Sequence, residues 1–140
     1  VVVMTQACDL AFSKLPNVTL CKHISISEYR SMWEEKLRLS NNFPKKPDEV
    51  FQREFNRLKD GFVWNMSLLN SCDNKKLQFE HRIVDFYEVY TIPREFLEKL
   101  IRKRKTPRPQ LLPPYREHLS QAFARFYMRV GLPTPINKIS

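Results

Sequence analysis

Cys8 sits in Gln6-Ala7-Cys8-Asp9-Leu10, a polar stretch that follows the apolar run Val1 to Thr5 directly. Polar groups at a strand end are where many folds place their chemistry. Cys8 could serve as a nucleophile if His23 or His81 lay beside it. No pattern in the chain fixes such a Cys–His pair, and a buried thiol with Asp9 bonding local backbone N–H groups is the plainer reading. Cys8, Cys21-Lys22-His23 and Cys72 carry the ligand types for zinc. Structural zinc sites use closely spaced C-x₂₋₄-C pairs, which are absent, so no metal and no cofactor is expected. Asp85, between Ile83-Val84 and Phe86, marks either a bend or an ion pair with Arg82 or an arginine of the last helix; a general base is the lesser reading.

These residues depend on short strands and amphipathic helices for their placement. Residues 1–5 and 17–22 read as strands from their β-branched content. Ser25-Ile26-Ser27-Glu28 is a capping box opening a helix to about Leu39, with Ile26, Tyr29, Trp33 and Leu37 on one face. After the turn-rich 40–47, Asp48 caps a second helix to about Lys59, with Phe51, Phe55, Leu58 and Phe62 as its buried stripe and Asp60-Gly61 as its stop. Residues 62–69 and 76–84 alternate in polarity and read as a hairpin over a five-residue loop, with 86–92 continuing the strand or forming another. Pro93 sits in the first turn of a third helix with Phe96, Leu97, Leu100 and Ile101 inward. Pro113-Pro114 opens a last helix with Tyr115, Leu119, Ala122, Phe123, Phe126, Tyr127 and Val130 as an apolar stripe, and Gly131 stops it. The expected fold is one α+β domain over 1–140: a small curved antiparallel sheet, open or barrel-like, packed by about four amphipathic helices.

The length of 140 residues suits a single domain with a real core. Two glycines rule out glycine-rich phosphate loops, and no apolar run approaches the roughly 18 residues of a membrane span, so no membrane partner is expected. The first four residues lack the basic start of a signal peptide, and three cysteines are an odd number, so reduced thiols and a cytoplasmic location are expected. The formal charge is +9, and it is unevenly placed. Residues 1–93 hold 13 Lys+Arg against 12 Asp+Glu, whereas residues 94–140 hold 11 against 3. Lys103, Arg104, Lys105 and Arg108, joined by Arg125 and Arg129 on the last helix beside His118 and Gln121, form a candidate cationic surface. Such a surface favours phosphate backbones through counterion release, an acidic protein partner, or simple solvation.

Val1 to Thr5, then Val18 to Ser25, resemble the first two strands of the PemK/MazF-like group, small barrel proteins that include endoribonuclease toxins. Arg82-Ile83-Val84-Asp85 followed by Phe96-Leu97 is similar to a later stretch of that group. The family's second-strand hydroxyl carries over onto Ser25, but the proline before it is replaced by Lys22 or His23. The helical insertion over 26–60 and the basic 94–140 region are extra. The resemblance implies the fold and the setting of a prokaryotic toxin or defence system; with the basic C-terminal surface, the expected function is a non-enzymatic accessory or binding module contacting nucleic acid, RNA favoured, or an acidic protein. The alternative it implies is a metal-independent endoribonuclease, for which Asp9, His23, Ser25 and Arg82 are the available base, hydroxyl and cation if they converge. A structural subunit of a larger assembly, or a homodimer, completes the expectations.

Overall fold

The computed structural model describes residues 1–5, 9–10, 12, 14–74, 77–105 and 108–128. Six strands are defined among them: β1 (Val2–Val3), β2 (Asn17–Ser25), β3 (Met66–Leu69), β4 (Cys72–Asn74), β5 (Leu77–Phe79) and β6 (Arg82–Pro93). Four helices accompany them: α1 (Ile26–Leu39), α2 (Pro47–Lys59), α3 (Arg94–Lys103) and α4 (Tyr115–Tyr127). The main sheet is antiparallel, in the order β1-β2-β6-β3, and curls into a half-barrel; β4 and β5 form a separate two-stranded ribbon.

The curl has a local cause. Cys21 stands opposite Val89, yet its neighbour Lys22 stands opposite Asp85, so Phe86, Tyr87 and Glu88 have no partner on β2. Extra residues on one strand bend it and sharpen its twist. Asp85 holds this bulge: its carboxylate accepts the Tyr87 backbone N–H at 2.9 Å. It thus marks a bend, with a backbone hydrogen bond where an ion pair to Arg82 or to the last helix was the other expectation. The bulge drives Phe86 inward, to 1% exposure, where it joins Cys21, Val84 and Leu119 in the core under α4. Its ring meets Phe123 edge-on at 5.5 Å and Phe126 at 5.8 Å.

The opposite face carries Ile24 and Ile83, which are cross-strand partners. His81 alternates onto that side, and its ring packs edge-on to Phe55 of α2 at 5.5 Å. Phe51 of α2 packs on Trp33 of α1 at 5.3 Å, so the two helices form one layer. The sheet is therefore covered by α4 on one face and by α1 and α2 on the other.

The capping box places α1 as expected. The Ser25 hydroxyl accepts the Glu28 N–H at 3.1 Å, and the helix runs to Leu39. Replacing that hydroxyl leaves a helix N–H without its partner, so Ser25→Ala should cost about 0.5–2 kcal/mol in a denaturant titration. Several other expectations are corrected. Lys46, not Asp48, is the cap residue of α2, because Pro47 takes the first helical position and Asp48 falls in the first turn, ion-paired to Arg30. Gly61 adopts φ +73°, and Met66 N–H bonds back to Val63, so residues 62–65 form a turn and not the start of a strand. Phe62 is consequently 71% exposed. β3 pairs with residues 82–85, and the intervening segment holds the β4–β5 ribbon where a five-residue loop was expected. On α3 and α4 the apolar stripes are only partly covered: Phe96, Leu100, Tyr115 and Tyr127 are exposed. Val130 and Gly131 lie outside the described residues. No helix among the described residues is long and apolar enough to cross a membrane.

Candidate functional site

Three of the four residues considered for catalysis share one face of the sheet. Ser25 and Arg82 are direct cross-strand partners at the end of β2 and the start of β6. His23 is two residues before Ser25, so its side chain emerges on the same side. That side also carries Cys21 and Val84, the face covered by α4.

Asp9 does not join them. Its carboxylate lies 3.9 Å from Lys14, and its carbonyl accepts the Lys14 N–H at 3.0 Å. Lys14 leads into Asn17 three residues later, at the opposite end of β2 from Ser25. At about 3.3 Å per residue, roughly 26 Å of strand separates those ends. Cys8 lies outside the described residues. Cys21 is fully buried, and that burial, reinforced by Asp85, pushes its thiol up to about 11, so it is held as an inert thiol. Among the described residues no group of three or more His, Cys, Asp or Glu is gathered as a metal site.

His23 is held neutral. Burial lowers its pKa, and the Val1 amine and the Arg82 guanidinium lower it further, against a smaller opposing pull from Glu28. Its Nδ1 is buried with no hydrogen-bond partner. Protonating that nitrogen would create a buried donor with no acceptor, which agrees in direction. A stability consequence follows by linkage. The unfolded chain binds a proton at His23 near pH 6.5, while the folded chain binds it only at lower pH. Stability from this group is therefore complete above that value and is lost as pH falls through the folded pKa. Urea midpoints measured from neutral to mildly acidic pH should fall, and His23→Gln should flatten part of that fall.

The neighbourhood of Arg82 includes residues that the pattern of the sequence did not single out. Glu80 accepts the Ser27 hydroxyl, and that bond, followed by Ser25 and Arg82, holds its carboxyl below the usual range. Glu80 and Arg82 alternate onto one side of the segment leading into β6, and that spacing was the available signal. The Val1 amine is lowered by burial and then by Arg104 and Arg82 together. Arg104 and Arg82 thus both lie within electrostatic reach of Val1, a proximity with no local signature in the sequence.

Lys103, Arg104, Lys105 and Arg108 are all exposed. Two of the acids nearby are engaged locally: Glu98 lies between Arg94 at 3.7 Å and Arg102 at 3.9 Å, and Glu117 pairs with Arg116 at 2.7 Å, while Glu95 is exposed in the first turn of α3. Lys103, Lys105, Arg108 and Arg125 have no acidic partner among the described residues. The outer face of α3 places Phe96, Lys99, Leu100 and Lys103 side by side, all exposed. Arg125 and His118 line a groove at the β3 edge together with residues 109–112, the stretch that follows Arg108 directly. Arg129 lies outside the described residues. No protein-family model, no curated protein and no solved structure matches this chain.

Proposed function

We propose that the chain is a non-enzymatic binding module for nucleic acid, single-stranded RNA first, acting as an accessory part of a prokaryotic toxin or defence system. The observation that carries this reading is the run Lys103, Lys105 and Arg108, exposed and without an acidic partner among the described residues, while Glu98 and Glu117 are paired with other arginines. Cations without local counter-charges release the most counterions when they meet a phosphate backbone. Phe96, about half exposed one turn before Lys99 on α3, adds a ring face on which an unpaired base can stack. The preference for RNA and the setting in a toxin or defence system rest on the resemblance of β1 and β2 to the PemK/MazF-like group.

A second reading has its own support. His23, Ser25 and Arg82 share one sheet face, and His23 is neutral, the form that accepts a proton. In an endoribonuclease, His23 would take the proton of a 2′-hydroxyl as that oxygen attacks phosphorus. Arg82 would hold the charge of the crowded phosphate, and the 5′-oxygen would leave with a proton taken from solvent water. Incubating the protein with mixed labelled RNA and DNA, without metal, separates the two. Retarded RNA left intact supports the binding module. RNA cleavage that is lost in Arg82→Ala supports the enzyme.

A further inference from the structure

We propose that the groove along the open edge of β3 receives an extended acidic peptide of a partner protein, which adds to the sheet as a further strand. β3 is the last strand of the sheet and is hydrogen-bonded only to β6. The Phe86 N–H bonds the Asn65 carbonyl, and the register then alternates, so Ser67 and Leu69 face β6 while Leu68 turns its N–H and C=O to the open side. Those two groups have no hydrogen bond among the described residues. A cavity of about 660 Å³ lies there, touched by Met66, Ser67, Leu68 and Leu69 in succession. Successive strand residues point to opposite faces, so a cavity that all four line runs along the strand edge, not over one face. Leu58 and Lys59 of α2 wall it on one side, and Leu119, Ala122 and Arg125 of α4 on the other. The helical layers thus overhang the sheet edge, and Cys72, Phe79 and residues 109–112 line the rest of a slot in which one more strand would find apolar walls.

Nothing in β3 discourages pairing. The sequence Met-Ser-Leu-Leu has no charge and no proline, the usual guards of an edge strand. The charge around the slot selects the occupant. Lys59 and Arg125 line it against a single acid, Asp60, and Arg125 has no acidic partner among the described residues. A second copy of this chain carries the same +9 charge and the same recessed edge, so two β3 strands could not approach without both sets of helices yielding. An acidic strand from another protein meets neither obstacle, and main-chain bonds to Leu68 would supply its register.

Fluorescence anisotropy with a labelled peptide of alternating glutamate and valine, and with its lysine–valine counterpart, tests this on the full chain. Hydrogen exchange of the Leu68 amide is followed in parallel. Saturable binding of the acidic peptide alone, slowed exchange at Leu68, and weakening of roughly tenfold in Arg125→Glu are expected. Arg125 is exposed, so that variant keeps the fold. Equal binding of both peptides, binding of neither, or binding that leaves Leu68 exchange unchanged would overturn the proposal. So would single-stranded RNA that displaces the peptide and protects Leu68, which would make the slot part of the nucleic-acid surface.

Discussion

Phe86→Ala should lower the unfolding free energy by about 3–5 kcal/mol, the range for emptying a large buried aromatic site. A domain of this size has a total margin of about 5–15 kcal/mol, so the variant would populate the unfolded state visibly at modest urea. The size of the effect follows from position. Phe86 is among the largest fully buried side chains of the described residues, and it is buried by the bulge that lets β6 curl. Its removal leaves Phe123 and Phe126 of α4 without the ring on which they pack, and it opens a void beside Cys21 and Val84. Tyr87→Ala, one residue away, is the control. That ring is 64% exposed and touches Trp64 and Phe126 at the surface, so its loss should cost much less. Equal losses in the two variants would mean that the bulge does not direct Phe86 into the core.

The second large effect concerns binding. Replacing Lys103, Arg104, Lys105 and Arg108 together by alanine should remove most of the affinity for single-stranded RNA. All four are exposed, and none of them enters the buried core. The fold should therefore survive, which urea midpoints of the variant check directly. Each contact between a cation and a single-strand phosphate contributes about 0.7 to the slope of log affinity against log salt. Four such contacts weaken binding about 50-fold between roughly 50 and 200 mM salt, and the variant should lose nearly all of that dependence. The same substitution should weaken binding of an acidic peptide at the β3 edge far less than Arg125→Glu does, because Lys59 and Arg125 line that slot, whereas Arg108 only precedes the lining residue Pro109.

Local rules were enough to place some elements. Ser25 and Glu28 fixed the start of α1, and Asp60-Gly61 fixed the end of α2, because caps and left-handed stops are written in adjacent residues. The fold class also followed from short alternating strands among amphipathic helices. Register did not. Phe62, Trp64, Met66 and Leu68 alternate like a strand, yet Gly61 turns the chain and only the last part pairs. Phe-Tyr-Glu-Val at 86–89 reads as continuous strand, because a bulge depends on which residues stand opposite, not on the strand's own composition. The site shows the same division. The pairing of Ser25 with Arg82 depends on register across strands 57 residues apart, and the nearness of Arg104 to Val1 depends on where the end of α3 falls against β1. Asp9 followed a strand as active-site carboxylates often do, but its ion pair with Lys14 holds it at the far end of the sheet.

The most direct measurement is the affinity of the purified chain for a labelled single-stranded RNA across a series of salt concentrations, wild type beside the four-alanine variant. A steep loss of wild-type affinity with salt, flattened in the variant, with the RNA left intact, is the result expected of a phosphate-binding module. A flat wild-type profile, or equal slopes in the two proteins, would contradict it.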